Sequence, residues 1–89
     1  MRIYVLKTWE RFYYALESGE KTFEVRDVSD WLFVAKKGEV FCLVETVEED
    51  GLPTGRCSLW HITHVCTKEP FLPSGLAVFG IRPVLGGDS

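Results

Sequence analysis

The octapeptide Gly19-Glu20-Lys21-Thr22-Phe23-Glu24-Val25-Arg26 is where the chain changes its periodicity. Ahead of it, Trp9, Phe12, Tyr13 and Leu16 recur at helical spacing until Gly19 stops the segment. Beyond the glycine the pattern has period two. Thr22, Glu24 and Arg26 fall on one face of a strand, and Lys21, Phe23 and Val25 fall on the other. Ionisable groups are thereby displayed at controlled spacing on a rigid element. Strict alternation puts Lys21 and Glu24 on opposite faces unless a bulge or a barrel-end twist realigns them.

Working outward, residues 2–7 read as a short first strand, with Ile3, Val5 and Lys7 on one face and Tyr4 and Leu6 on the other. Thr8 is the expected N-cap of the helix, with Glu10 and Arg11 in its first turn. The aromatic stripe of so short an amphipathic helix is expected to be core packing, since that face must stay docked. Downstream, residues 27–30 form a turn, 31–34 a short apolar run, and 36–39 a second turn. Residues 40–47 make a strongly β-prone strand, and 48–55 an acidic hairpin loop. Residues 56–67 make a long returning strand, in which Cys57, Leu59, His61, Thr63 and Val65 oppose Ser58, Trp60, Ile62, His64 and Cys66. Bulky groups on both faces predict a strand covered on both sides for part of its length. Residues 68–75 are a connection and 76–81 a last strand. The expected fold is mostly β (α+β): five to six strands and one principal helix, as a small twisted sheet curled toward a barrel with the helix plugging one end. Residues 1–83 make one domain and 84–89 a flexible tail.

The chain has 89 residues, of which 46% are hydrophobic, enough for one modest core and no second. A net charge of −3 argues against generic electrostatic binding of nucleic acid, so any such contact is expected to be local. No apolar run reaches the roughly 18 residues that a membrane span needs. The start of the chain leads into a strand and not into a signal-peptide core, so the expected location is the cytoplasm. Cys42, Cys57 and Cys66 are odd in number and lack a C-x-x-C pair. They read as buried free thiols. His61 and His64 fall on opposite faces of a strand, and neither a metal site nor a cofactor is expected.

These pieces resemble the ASCH superfamily, whose domains have a PUA-like β-barrel, and within it a small bacterial and phage branch. The resemblance rests on Gly19-x-Lys21-x-x-Glu24-x-Arg26 after an aromatic-rich helix and on Phe33-x(4)-Gly38-Glu39 opening the next strand. Glu45 in a hairpin strand, Thr54-Gly55-Arg56 in a turn and an apolar last strand complete the series, from Ile3 to Ile81. The branch begins with His-x-Leu-Lys, where this chain has Tyr4-Val5-Leu6-Lys7. Its Gly-Asp is Gly38-Glu39 here, and Asp27-Val28-Ser29-Asp30 replaces a basic loop.

The resemblance implies a nucleotide- or RNA-binding module whose pocket lies beside the Lys-x-x-Glu-x-Arg strand. Lys21 and Arg26 would meet phosphate, Arg26 through its planar fork, Glu24 would accept hydrogen bonds from a base edge, and Trp31 or Trp60 would stack on the base. Lys7 and Glu45 complete the expected ligand-binding set. A second reading is a small amidohydrolase acting on a modified nucleoside such as N4-acetylcytidine, with Lys21 reactive and Glu24 or Glu45 as acid or base. In the superfamily's amidohydrolase group a Thr stands where this chain has Glu24, and a Glu comes from an insertion that residues 67–75 are too few to hold, leaving only Glu69. A third reading is a phage-type inhibitor that binds a host protein.

Overall fold

The computed structural model describes residues 2–27, 35–67, 72–73 and 75–84. The chain runs β1 (Ile3–Trp9), α1 (Glu10–Glu17), β2 (Phe23–Asp27), β3 (Val40–Thr46), β4 (Pro53–Cys66) and β5 (Leu76–Pro83). All five strands join one sheet in the order β1-β3-β4-β5-β2. β1 and β3 are parallel, and the other neighbours are antiparallel. The fold is therefore mostly β, and the sheet curls into a half-barrel. The expected strands are all present apart from their bounds, except that residues 31–34, with Trp31, and most of the connection from 68 to 75 lie outside the described residues.

Alternation along β1 buries Tyr4, Leu6 and Thr8 and exposes Ile3, Val5 and Lys7. The inner faces of β3, β4 and β5 add Phe41, Leu43, Trp60, Ile62, Ala77, Phe79 and Ile81. Tyr13 and Leu16 of α1 close this core from one end. Phe41 is its centre, meeting Phe79 edge-on at 5.1 Å between ring centroids and Tyr4 at 6.2 Å. The outer face of β4 is less covered than the sequence predicts. Leu59 is 42% exposed and Cys57 is exposed, because among the described residues the only helix packs on the other face.

Three local devices shape the sheet. The helix ends as expected: Gly19 takes φ +86°, and its N–H and that of Lys21 bond back to the carbonyls of Leu16 and Ala15. Opposite Glu45, the register slips so that Thr54-Gly55-Arg56 bulge out of β4, with Gly55 at φ +98°. The segment read as a turn is thus a bulge inside a strand that begins at Pro53. A second irregularity lies between Ile62 and His64, opposite Gly80. It reverses the alternation of β4, so that Val65 packs against the core and His64 is exposed.

Candidate functional site

Among the described residues the sheet does not close through its backbone. β1 and β2 are its two edges, and the gap between them is where the Lys-x-x-Glu-x-Arg residues converge. Ile81 donates its N–H to Thr22 O at 3.0 Å, which continues the β2–β5 register. Hydrogen-bonded pairs alternate along an antiparallel ladder, so Glu24 and Arg26 turn their backbone groups toward β5 while Val25 turns its own toward the gap. On β1 the same alternation frees the carbonyl of Lys7, and Arg26 Nη2 donates to it at 2.8 Å. The same nitrogen donates to Thr8 Oγ1 at 3.1 Å. One guanidinium thus spans the two edges of the half-barrel.

Glu24 holds that guanidinium in place. It is 3% exposed, and its Oε2 accepts from Arg26 Nη2 at 2.8 Å and Nε at 3.0 Å. Its Oε1 accepts from Lys21 Nζ at 3.0 Å. A carboxylate this buried requires compensation, and two charge-assisted partners provide it. The pairing with Lys21 arises because Lys21 precedes the ladder: its N–H bonds back to Ala15 O in the exit from the helix, where strand alternation does not apply. The Lys21 ammonium also lies 4.7 Å from the Phe12 ring centroid and 5.5 Å from that of Phe23.

The cleft above this cluster has a volume of about 540 Å³ and is lined by Lys7, Thr8, Trp9, Phe12, Lys21, Glu24, Val25 and Arg26. Four expected site residues meet there, and Lys7 takes part through its carbonyl. Four further lining residues, Thr8, Trp9, Phe12 and Val25, were not anticipated. Thr8 is not the helix N-cap but a buried β1 residue whose hydroxyl accepts from Arg26; the N-cap is Trp9, without a side-chain cap. Trp9 and Phe12 are 42% and 38% exposed and stack at 5.8 Å between centroids, so half of the aromatic stripe is cleft wall and not core. Helical spacing carries no signal of this division: at roughly 100° per residue Trp9 falls between Tyr13 and Leu16, and as the last residue of β1 and the N-cap it stands outside the helix.

Two other expected ligand residues lie elsewhere. Trp60 is 4% exposed in the core, its Nε1 donating to Ser58 Oγ at 2.7 Å, so it is not a stacking surface. Glu45 is buried beside the β4 bulge, where it accepts from the Thr54 hydroxyl and lies 3.9 Å from Arg56 Nη1. Arg56 also pairs with Glu17 and lies over the Tyr13 ring. This second cluster fastens α1 to the sheet. Burial pushes the Tyr13 phenol above its ordinary 10.0, against the lowering effect of its Ser58 hydrogen bond and with help from Glu17. Gly38-Glu39 is also structural: Glu39 Oε1 accepts from the Lys36 N–H and the Tyr4 hydroxyl, at the opposite end of β1 from the cleft. Among the described residues no group of three or more His, Cys, Asp or Glu is arranged to hold a metal ion, and no helix is long and apolar enough to cross a membrane.

Fold and cleft together define a small half-barrel domain with a cationic, aromatic-walled opening between its edge strands. The chain belongs to the family described as a domain of unknown function (DUF3850), which matches residues 3–81 and so includes every residue of the cleft. No curated protein matches it.

Proposed function

We propose that this protein is a cytoplasmic ASCH-type, PUA-like binding module that accepts a nucleotide or a short single-stranded RNA segment in the cleft between β1 and β2. The observation that carries this reading is the meeting of Lys21 and Arg26 with the exposed rings of Trp9 and Phe12 around one opening. Cations for phosphate and flat rings for bases are the two elements of single-strand recognition. Both cations are oriented in advance by a buried carboxylate, which lowers the ordering cost of binding. Glu24 itself is fully engaged with Lys21 and Arg26, so its role is to position those cations and not to read a base edge.

The amidohydrolase reading receives less support. A reactive lysine needs its free amine, and Lys21 is instead surrounded by a carboxylate and two ring faces, which are partners for an ammonium ion. Glu45, the alternative acid or base, is outside the cleft lining. Calorimetric titration with mononucleotides and short RNAs tests the binding reading. Loss of binding in a folded Lys21→Ala or Phe12→Ala variant is the expected result. Failure of every nucleotide and RNA to bind the unmodified protein would reject it.

A further inference from the structure

The cleft is short, and what bounds it narrows the ligand. The strand order makes β1 and β2 antiparallel across the gap, since three antiparallel steps separate β2 from β3, which is parallel to β1. The groove between two such edges would run along the strands. Arg26 crosses it, joined at one side to Glu24 and at the other to the Lys7 carbonyl and the Thr8 hydroxyl. At the far end stands α1, with Phe12 beneath the Lys21 ammonium. A polymer threading along the groove would have to break the crossing guanidinium away from four acceptor contacts, counting both that it makes to Glu24. The opening between the crossbar and the helix is of single-ligand size, at about 540 Å³.

The hydrogen-bonding capacity left over is also one-sided. Arg26 commits Nε and Nη2, while Nη1 bonds to nothing among the described residues. Lys21 has three N–H donors, of which one is given to Glu24. Glu24 has both oxygens engaged, and Thr8 Oγ1 already accepts from Arg26. The side chains at the cleft floor therefore offer donors bearing positive charge and no unengaged carboxylate. That combination suits a phosphate carrying the larger charge and the greater number of free oxygens, which is a terminal phosphomonoester more than a backbone diester.

We infer that the cleft is an end-binding site: it takes one nucleotide with a terminal phosphate, as a free mononucleotide or as the phosphorylated end of a strand, and not the interior of an RNA chain. This inference rests on the nucleotide-binding reading above and sharpens it. Trp9 provides the ring surface for the base, backed by Phe12, which stacks on it and carries the Lys21 ammonium, and Lys21 with Arg26 Nη1 meets the phosphate.

The test varies the ligand and leaves the protein intact, so it does not depend on a variant that folds. Calorimetry would compare uridine and adenosine 5′-monophosphates with the corresponding nucleosides, and a four-residue oligouridylate bearing a 5′-phosphate, a 3′-phosphate or hydroxyl ends. Expected are similar affinities for the monophosphates and for at least one phosphorylated oligomer, and an affinity about 10- to 100-fold weaker when the terminal phosphate is missing, the range that loss of charge-assisted hydrogen bonds produces. Hydroxyl-ended oligomers binding as tightly as phosphorylated ones, or affinity that rises with each added nucleotide, would overturn end binding while leaving the binding module standing. Absence of binding in every arm would overturn both.

Discussion

Glu24 decides the character of the site at the level of single residues. Among the described residues its carboxylate is the only acceptor holding both Lys21 and Arg26, and it lies almost wholly out of water. Replacing it by Gln removes the charge but keeps the shape, leaving two cations beside a buried amide. Breaking a buried pair by deleting one partner costs about 3 kcal/mol at the lower end of its usual range, and the lower end applies because Lys21 and Arg26 can turn toward solvent. Urea denaturation of Glu24→Gln should show that loss, while Lys21→Met should lose only about 1 kcal/mol, since its side chain is part-exposed. Tyr13 makes a different prediction. Its folded-state phenol is raised above 10.0, so its contribution is complete below the unfolded value and is lost as pH climbs through the folded one. Stability should therefore fall as the pH rises above about 10, and Tyr13→Phe should flatten that fall in thermal melts recorded across the range.

At the level of elements, bulges do what regular strands cannot. At Gly80 a Cβ would come within 3.0 Å of Thr63 Oγ1 and 3.3 Å of His64 Cβ, the residues of the β4 irregularity. Gly80→Ala should cost about 1–2 kcal/mol by overpacking this approach, and adding Thr63→Ala should recover part of it, both read from denaturation midpoints. By contrast Arg56→Ala, which removes a pair more than half exposed at its arginine, should cost under about 1 kcal/mol. The elements themselves were legible from the chain, because period-two and period-3.6 patterning reflect which face meets the core. Thr8 shows where that legibility ends. A threonine ahead of a helix has the chemistry of an N-cap, and nothing local says that β1 extends two residues further and turns the hydroxyl toward Arg26 from a strand on the other edge. Glu45 and Trp60 were misplaced for the same reason: a polar or aromatic residue on a strand is equally suited to a pocket and to an interior network, and only its cross-sheet neighbours decide.

For the molecule as a whole, the two edges of the described sheet are joined by a side chain. Arg26→Lys keeps the charge but loses the fork that reaches Lys7 and Thr8 together. Amide hydrogen exchange should then quicken by about tenfold in β1 and β2, corresponding to one lost charge-assisted hydrogen bond, and remain unchanged in the β3–β4 ladder.

Alternation, the glycine stop and the order of apolar runs determined a mostly β domain with one helix and placed Lys21, Glu24 and Arg26 together in one charged segment, because these features depend on residues close together in the chain. Only the tertiary structure decided that β2 lies at the edge opposite β1, that a cleft opens between them, and that Trp9 and Phe12 wall it while Trp60 does not. The reason is physical: which edges meet is set by how far the whole sheet curls, a sum over twist and bulges that no single segment encodes.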